Sequence, residues 1–383
     1  MTLSSRVDPV ELAASLAPLI RAHAAETERE RRLARPVVDG LLAAGLFDLN
    51  RPAAYGGAEV DPITMFRAVE ELARHDSAAA WVVAVSLMGN VFVSFYADEG
   101  AEEIFGSPGL VMSGAAHPVG RAERVPGGYR LSGQWQFFSG CQVSTWWHAK
   151  AALVGDGGEP APMYLCVPAD PGCVVDTWHT LGMRGTGSHD VRLDGVFVPE
   201  HRAAVMPPRP KSAAFSGPLY RLTIWPAVAL MAVPALGVAR AAIDELVELA
   251  GTKTANFGGA LARRAGAQRQ VAEAEARLGA ARAYLFEAYG GAWRAAVAGE
   301  PIDLGLKQRM QLAGTHAANE AATAVDLVCT AAGSTAARME YRFERLWRDA
   351  RTIVTQAFCS PGRYESVGQV MFGVPHDWPF FNL

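Results

Sequence analysis

The stretch LGMRGTGSHDVRLDGVFVPEHR, from Leu181 to Arg202, runs from a glycine-rich turn into the short β-rich segment VRLDGVFVP. Similar segments, among them YRLSGQWQFFSG and PMYLCVPA, alternate with Gly/Pro turns between residues 108 and 206. Short strands separated by turn signals predict a small antiparallel sheet or barrel. The glycines of GMRGTGS lie between strands without a surrounding βαβ unit, so they do not indicate a dinucleotide site.

The sequence on both sides of this β region has helical periodicity. In DPVELAASLAPLIRAHAAE, which starts at Asp8, apolar residues recur at three- and four-residue spacing behind an Asp-Pro N-cap. Long alanine-rich segments from 217 to 372 predict a bundle of helices of roughly 20 to 30 residues. The pattern therefore predicts three domains: a helical domain over 1–107, a β domain over 108–210 and a helical bundle over 211–383.

Composition narrows the functional classes. The chain has 383 residues and a net charge of -4, with 50% hydrophobic and 19% charged residues. This charge gives no electrostatic reason to expect a nucleic acid or an anionic membrane as a partner. No run approaches the roughly 18 apolar residues of a transmembrane helix. The five cysteines form no C-x-x-C pair and no His/Cys cluster, so we expect buried free thiols in a reducing cytoplasm and no metal site.

Three motifs follow one another in an order that resembles the acyl-CoA dehydrogenase superfamily. RPAAYGGAEVD (51–61) is similar to the Pro-x-x-Tyr-Gly-Gly loop of that family, and residues 128–147 are similar to its flavin-covering strand pair. The stretch from Leu181 to Arg202 resembles its Gly-x-Arg-x-Thr-x-Ser-x-Asp-Val segment. The resemblance covers essentially the whole chain. It implies a mainly α fold with a central β domain: an N-terminal helical domain, a β-barrel-like middle domain and a C-terminal four-helix bundle.

The dehydrogenases of this superfamily remove an α-proton with a carboxylate, and that carboxylate is missing here. The two positions from which family members supply it correspond to Ala357, in LWRDARTIVTQAFCS (346–360), and to Ala227. No acid lies in 352–362 or 223–239, so a slip of one or two residues in the alignment would not restore it. Because removal of a proton from carbon needs a positioned base, the sequence does not favour dehydrogenation.

The two-component (group D) flavin monooxygenases of the same superfamily need no such base. FFSGC (137–141) resembles their β-domain strand, and residues 348–373 resemble their C-terminal segment, with Gln356 in place of the usual histidine. The resemblance implies O2 and reduced FMN or FADH2 from a separate flavin reductase, a C4a-hydroperoxyflavin, and hydroxylation of an aromatic or amine small molecule. It also implies a homotetramer or homodimer. The alternatives are an acyl-CoA dehydrogenase-like desaturase with an unrecognised base, or a non-catalytic scaffold.

Three residues are the catalytic candidates under this resemblance. Ser139 occupies the position from which family members hydrogen-bond the flavin N5 edge, although a strand hydroxyl can equally be satisfied by backbone. Gln356 offers two donors and an acceptor but does not titrate, and it could instead tie a helix to its neighbour. His117, in the loop expected before the flavin-covering strands, could bind or deprotonate a phenol, indole or amine, although a lone histidine is more often structural.

The remaining candidates bind the cofactor. Phe137 or Phe138 could wall the flavin ring beside Ser139 and Gly140; without that neighbour they would be core aromatics. Arg263 (or the adjacent Arg264) and Gln268 could contact a flavin phosphate at a helix start, for which the fixed charge and donor fork of arginine are suited. Ser334, in AAGSTA, could add a hydroxyl and backbone N–H groups, or the segment could be a plain helix–helix turn.

Overall fold

The computed structural model describes residues 7–154, 161–205, 212–255 and 259–383. The α-helices within them are α1 (Pro9–Ser15), α2 (Ala17–Glu30), α3 (Arg35–Ala43), α4 (Pro62–His75), α5 (Ser77–Val93), α6 (Asp98–Phe105), α7 (Pro218–Arg221), α8 (Pro226–Thr252), α9 (Ala265–Ala298), α10 (Leu304–Ala332), α11 (Phe343–Ile353) and α12 (Gly362–Met371). The strands are β1 (Met112–Val125), β2 (Gly128–Trp135), β3 (Trp146–Val154), β4 (Ala161–Pro168), β5 (Cys173–Val175), β6 (Asp190–Pro199), β7 (Ala203–Val205), β8 (Thr254–Ala255) and β9 (Gly259–Ala260).

The chain divides into two compact units. The first unit contains Met1–Asp61, Trp81–His179 and Arg184–Ile224, and the second contains Pro62–Ala80, Thr180–Met183 and Trp225–Leu383. The helix–sheet–helix order expected along the sequence is present, which confirms the predicted fold class. The boundaries of the three predicted domains remain a prediction.

The first unit is built around a seven-stranded sheet of order β5-β6-β2-β1-β3-β4-β7. The pair β1–β3 is parallel and the other pairs are antiparallel, so the expectation of a purely antiparallel sheet was wrong. Parallel pairing arises because β2 returns on one side of β1 while the chain crosses over to place β3 on the other. Alternate strand side chains point to one face, where Trp135 of β2 and Trp147 of β3 form part of the hydrophobic core together with Phe138, which follows β2.

The N-terminal helices show how local signals set element ends. The Asp8 carboxylate accepts the backbone N–H of Val10 at 2.9 Å and caps α1, as the sequence predicted. The single helix expected to follow is broken, because α1 ends at Ser15 and α2 starts with a proline in its first turn. Proline favours a helix start because it lacks the N–H that an interior position would donate.

The second unit packs α4 and the long helices α8, α9 and α10, with the shorter α11 and α12 completing the bundle. A Cβ on Gly237 of α8 would lie 2.3 Å from the carbonyl oxygen of Glu70, and one on Gly314 of α10 would lie 2.5 Å from Val228 Cγ1. Glycine at these two positions therefore allows the backbones to approach closely. Alanine-rich faces serve the same purpose elsewhere in the bundle.

Two composition-based expectations need correction. The helix α8 is long and apolar enough to cross a membrane by length and composition, contrary to the expectation of no such run, but 94% of its apolar window is buried inside the protein. It is the core helix of the bundle.

The five cysteines are free, as expected, yet only Cys141, Cys166 and Cys359 are buried, while Cys173 is exposed and Cys329 is half-buried.

Candidate active site

The segment after β2 separates the two candidate phenylalanines. Phe137 has a left-handed backbone conformation, with φ of 59°, and its side chain is 65% exposed. Phe138 is 0% exposed and packs edge-on against Trp147 at a centroid distance of 5.4 Å. Phe138 is therefore a core residue without a free ring face, because the backbone reversal at Phe137 turns it inward. Of the two, only Phe137 has an exposed ring that could wall the flavin, and its role there remains a prediction.

The exposed Phe137 ring meets Trp178 edge-to-face at 6.2 Å. The loop that carries Trp178 is fixed by Arg31, which donates to the carboxylate of Asp176 (Nη2 to Oδ2, 2.9 Å) and to the carbonyl of Trp178 (3.3 Å). The Arg31 guanidinium lowers the pKa of Asp176 to about 2. Since both groups are charged near neutral pH, this clamp holds the Phe137–Trp178 contact in place.

A buried histidine, His189, also supports this loop. Nδ1 of His189 accepts the backbone N–H groups of Thr177 (3.2 Å) and Trp178 (3.1 Å). An Nδ1 that accepts two hydrogen bonds carries no proton, so the ring is the neutral Nε2–H tautomer. Burial lowers the pKa of His189, which favours this neutral form. In the sequence, His189 had a weaker case for function than His117, although it belongs to the Leu181–Arg202 stretch.

Ser139 lies in a buried row of hydrogen-bonding side chains. Its Oγ accepts from the indole Nε1–H of Trp81 at 3.1 Å and shares a 2.7 Å hydrogen bond with Ser188 Oγ. Ser188 shares a second 2.7 Å hydrogen bond with Thr186 Oγ1. Below the row, Ser113 Oγ donates to the Ser139 carbonyl at 2.7 Å. The structural alternative considered for Ser139, satisfaction by backbone, does not describe its hydroxyl, which bonds side chains.

Backbone contacts bring the FFSGC segment against the Leu181–Arg202 stretch. The Gly140 N–H donates to the Thr186 carbonyl at 2.7 Å, and Gly140 itself has φ of 76°, where glycine is favoured. The Cys141 thiol donates to the Gly187 carbonyl at 3.3 Å, and burial raises the pKa of Cys141 to about 12. Cys141 is therefore a protonated structural thiol rather than a nucleophile.

His117 lies beside this segment but within a strand. It is exposed on β1, at the register irregularity between Ala115 and Gly120, and not in a loop as predicted. Its backbone carbonyl accepts the N–H of Gln136, the residue before Phe137, at 3.1 Å. The irregularity interrupts the regular ladder and places an exposed imidazole next to the candidate flavin-binding segment.

In the second unit, Gln356 lies in a turn rather than on a helix, because α11 ends at Ile353. Its Oε1 accepts the backbone N–H of Phe358 at 2.6 Å. The turn is anchored by α10, where Gln311 Nε2 donates to the Phe358 carbonyl at 2.9 Å and Asn319 Nδ2 donates to the Cys359 carbonyl at 2.9 Å. The amide oxygen of Gln356 is thus committed to its own turn, which leaves its NH2 group to meet a ligand.

The RDAR segment before this turn holds a different loop. The Asp349 carboxylate is buried and accepts the backbone N–H of Met183 and the hydroxyl of Ser77, both at 2.6 Å. Arg348 Nη1 donates to the Leu181 carbonyl at 2.6 Å. The start of the Leu181–Arg202 stretch is therefore fixed by α11, a role of the charged residues that sequence inspection missed.

The candidate phosphate contacts cluster around a lysine that the sequence did not single out. Lys253 Nζ donates to the Ala332 carbonyl at 2.7 Å and to Thr335 Oγ1 at 2.6 Å, on either side of Ser334. Burial and the positive charge of Arg264 lower the pKa of Lys253. The structure thus brings the Ser334 turn close to the Arg264 segment. The sequence feature that could have pointed to Lys253 is its positive charge directly after the apolar helix α8.

The other members of this group are exposed. Arg263 ends the 3₁₀ turn Leu261–Arg263, and Gln268, one turn into α9, donates through Nε2 to the Ala262 carbonyl at 2.9 Å. Ser334 lies in the 3₁₀ segment Gly333–Ala337 between α10 and α11, which is the helix–helix turn considered as the alternative. No group of three or more His, Cys, Asp or Glu side chains suited to a metal ion occurs among the described residues.

These elements and their order define the class of protein. Residues 12–104 match the family described as acyl-CoA dehydrogenase, N-terminal domain, and residues 229–361 match acyl-CoA dehydrogenase, C-terminal domain. The chain belongs to the acyl-CoA dehydrogenase superfamily, as its motifs predicted.

Individual relatives place it more closely. The chain is 32% identical to indole-3-acetate monooxygenase of Pseudomonas putida over 363 residues, covering 92% of this chain and 90% of that protein. It is 30% identical to HsaA of Mycobacterium tuberculosis, the oxygenase subunit of a flavin-dependent monooxygenase, over 94% of each chain. The solved structure of XiaF from Streptomyces sp., in complex with FADH2 and glycerol, superposes with a TM-score of 0.92 at 29% identity, covering 97% of this chain and 96% of that one. Within the superfamily, the chain is a flavin-dependent monooxygenase of the two-component kind.

Proposed function

We propose that this chain is the oxygenase component that accepts FADH2 from a separate reductase and hydroxylates an aromatic small molecule with O2. The observation that carries the proposal is the buried Ser139 hydroxyl two residues from the exposed ring of Phe137, in a chain with Ala357 at the position of the dehydrogenase base. The reduced flavin, once bound, supplies the two electrons that activate O2. The protein supplies binding, hydrogen bonds and a dry surface.

The first unit provides the groups that fit a flavin ring. Phe137 offers an exposed aromatic face that Trp178 supports from its edge, and aromatic faces stack well on a planar heterocycle. Ser139 offers a hydroxyl that accepts or donates at the ring edge, and Gly140 leaves no side chain in the way. Since Trp81, Thr186 and Ser188 are buried, the Ser139 hydroxyl is shielded from bulk water, which favours transfer of oxygen to the substrate over its loss as hydrogen peroxide.

The second unit provides cations for a phosphate. Arg263 is exposed and carries a fixed charge, while Lys253 and Arg264 lie close enough to affect one another electrostatically. Ser334 and Gln268 add exposed polar side chains beside them. Lys253 already donates to Ala332 and Thr335, so we assign it to orienting the Ser334 turn and assign Arg263 to direct phosphate contact.

The relatives support FADH2 over FMN and an aromatic over an amine substrate. A resorcinol hydroxylase from Rhizobium sp., described as FADH2-dependent, is 35% identical over 196 residues, whereas the FMN-bound TdsC structure is only 20% identical. Indole-3-acetate and resorcinol are both aromatic. We assign His117 to substrate contact, because its exposed imidazole lies beside the Phe137 segment and can bind an O–H or ring N–H. Gln356 contributes its NH2 group as a hydrogen-bond donor, and we expect a cytoplasmic homotetramer or homodimer.

The test is turnover with chemically reduced flavin. Purified protein would receive FADH2 or FMNH2 anaerobically, then O2 and a panel of phenols and indoles, with product detected by mass. We expect an oxygen-atom gain of 16 mass units in at least one aromatic substrate (the mass of one oxygen) and tighter binding of FADH2 than of oxidised FAD. Bleaching of bound oxidised FAD by an acyl-CoA, without hydroxylation of any aromatic compound, would contradict the proposal and favour the dehydrogenase alternative.

A further inference from the structure

In the row of side chains around Ser139, the direction of one hydrogen bond is fixed and the direction of the other two can reverse. Trp81, Ser139, Ser188 and Thr186 are each more than nine-tenths buried, so water does not compete for their hydrogen bonds. The indole N–H of Trp81 is a donor only, and it therefore always fills one lone pair of Ser139 Oγ. The bonds from Ser139 to Ser188 and from Ser188 to Thr186 join hydroxyls, either of which can be the donor.

Because of this arrangement, the direction of the Ser139–Ser188 hydrogen bond decides whether Ser139 is a donor or an acceptor toward a ligand. A hydroxyl has one proton and two lone pairs, which makes three hydrogen-bonding positions. Trp81 uses one lone pair. If Ser139 donates to Ser188, its second lone pair stays free and Ser139 is an acceptor toward a ligand. If Ser188 donates to Ser139 instead, both lone pairs are filled and Ser139 is a donor toward a ligand.

A flavin presents opposite groups to such a hydroxyl in its two redox states. The N5 atom of reduced flavin carries a hydrogen and donates, whereas N5 of oxidised flavin has a lone pair and accepts. Resting on the proposed function, we propose that Ser188 sets the preference of the protein for reduced over oxidised flavin by accepting the proton of Ser139. Ser188 and Thr186 are thus positioning residues, acting through Ser139.

The sign of the effect of removing Ser188 follows from the proton count. In Ser188→Ala, the Ser139 proton loses its buried acceptor and is left to point at the ligand. It then pairs with N5 of oxidised flavin and opposes the N–H of reduced flavin. One misdirected hydrogen bond in a buried site changes affinity by about five-fold to ten-fold. We therefore expect the ratio of the oxidised to the reduced Kd to fall by about that factor.

The experiment is a pair of anaerobic titrations with oxidised FAD and with FADH2, followed by tryptophan fluorescence, on the full chain. Ser188→Thr keeps a hydroxyl and should retain the parent ratio. Ser113→Ala is the matched control, since Ser113 is equally buried and bonds the same residue at the same 2.7 Å, but through the Ser139 backbone carbonyl. Loosening of the loop in this control would weaken both redox states together and leave their ratio unchanged.

The outcomes separate this inference from the proposed function. If the parent prefers FADH2 and Ser188→Ala lowers the ratio while Ser188→Thr and Ser113→Ala do not, the inference is supported. If the parent prefers FADH2 and all variants keep its ratio, the proposed function stands and the role of Ser188 is wrong. If the parent itself binds oxidised FAD more tightly, the proposed function fails first. Melting temperatures of the flavin-free variants show whether Ser188→Ala is folded; if it is not, Thr186→Val supplies the same test one link further along.

Discussion

The Ser139 row and the Gln356 turn are both candidate sites, yet they are built differently. Around Ser139, hydroxyls bond hydroxyls, so protons can be redistributed without moving a heavy atom. Around Gln356, a side-chain amide bonds its own backbone and the turn carbonyls are held by the α10 side chains Gln311 and Asn319. Amides have fixed donors and acceptors. The first region can respond to a ligand, whereas the second is a rigid frame.

The largest expected effect is on the frame. In Gln311→Ala, the half-buried Trp378 indole N–H loses its 3.0 Å acceptor, and the Phe358 carbonyl loses its 2.9 Å donor and keeps only Thr315 Oγ1 at 3.3 Å. The Gln311 side chain itself is fully buried, so its removal also leaves a cavity. We expect a loss of about 2–5 kcal/mol in stability, from unpaired polar groups and the cavity. Urea unfolding measures it. Gln268→Ala, at an exposed glutamine, is the control and should change stability by about 0.5 kcal/mol or less. An unchanged midpoint for Gln311→Ala would mean that the turn is not anchored through this residue.

The second effect is on the coupling of flavin oxidation to hydroxylation of the substrate. Ser139→Ala removes a hydrogen bond in a dry site, where the loss is about 1–3 kcal/mol, or roughly 5- to 150-fold. We expect the ratio of hydrogen peroxide to hydroxylated product to rise within that range at fixed reduced flavin, while flavin still binds. Ser139→Thr keeps the hydroxyl and should stay near the parent ratio. If Ser139→Ala couples as well as the parent, Ser139 has no part in the mechanism.

A smaller effect is expected at Gln356, and this prediction compares the Gln356 turn directly with the Ser139 row. Gln356→Ala removes one hydrogen bond to the Phe358 N–H, worth about 0.5–1.5 kcal/mol of stability, with the peroxide-to-product ratio changed by less than in Ser139→Ala. Melting temperature and coupling should be measured on the same preparation. Gln356→Glu places a carboxylate next to Ala357; gain of acyl-CoA oxidation in that variant would favour a desaturase over the monooxygenase assignment.

The smallest effect concerns pH and the Trp178 loop. The pKa of Asp176 is lowered to about 2, chiefly by its hydrogen bond to Arg31. A carboxyl with a depressed folded pKa contributes stability above its unfolded value of about 3.9, and that contribution is lost as pH falls toward 2. We expect tryptophan fluorescence of the folded protein to be flat from about pH 4 to 8 and to change only as the pH falls below about 3, toward the folded pKa of about 2. Asp176→Asn should remove that change; a transition near neutral pH in the parent would point to another group.

Local patterns predicted the fold well and the site only in part. Periodicity located the helices and strands, and Asp8 capped α1 as expected, because these depend on neighbours in sequence. Which of Phe137 and Phe138 is exposed depends on the left-handed backbone of Phe137. A phenylalanine in the sequence gives no indication of that conformation. Trp81 and Ser139 are 58 residues apart, and no local pattern marks their contact.

Other errors have the same origin in tertiary structure. Gln356 lies in the region where the alanine-rich sequence predicted a helical bundle, but α11 stops three residues before it, at Ile353, and α10 side chains hold the carbonyls of the turn that follows. Lys253 has no motif around it, and only the fold brings it to Thr335. The missing carboxylate at Ala357 was visible because it is a single-position property, which is why the class of chemistry could be predicted from the sequence while the partners of Ser139 could not.

The discontinuous second unit has a consequence for biosynthesis. Helix α4 belongs with α8 in that unit, with Glu70 of α4 against Gly237 and its carboxylate paired to Arg282 of α9. On the ribosome α4 therefore waits while about 150 further residues are made, at roughly 5–20 residues per second. The apolar α8 then emerges before α9 and α10 are available to cover it. The ribosome-bound chain thus carries, for seconds, a hydrophobic helix that only α4 is available to cover, and we expect its yield to depend on chaperones that bind such segments.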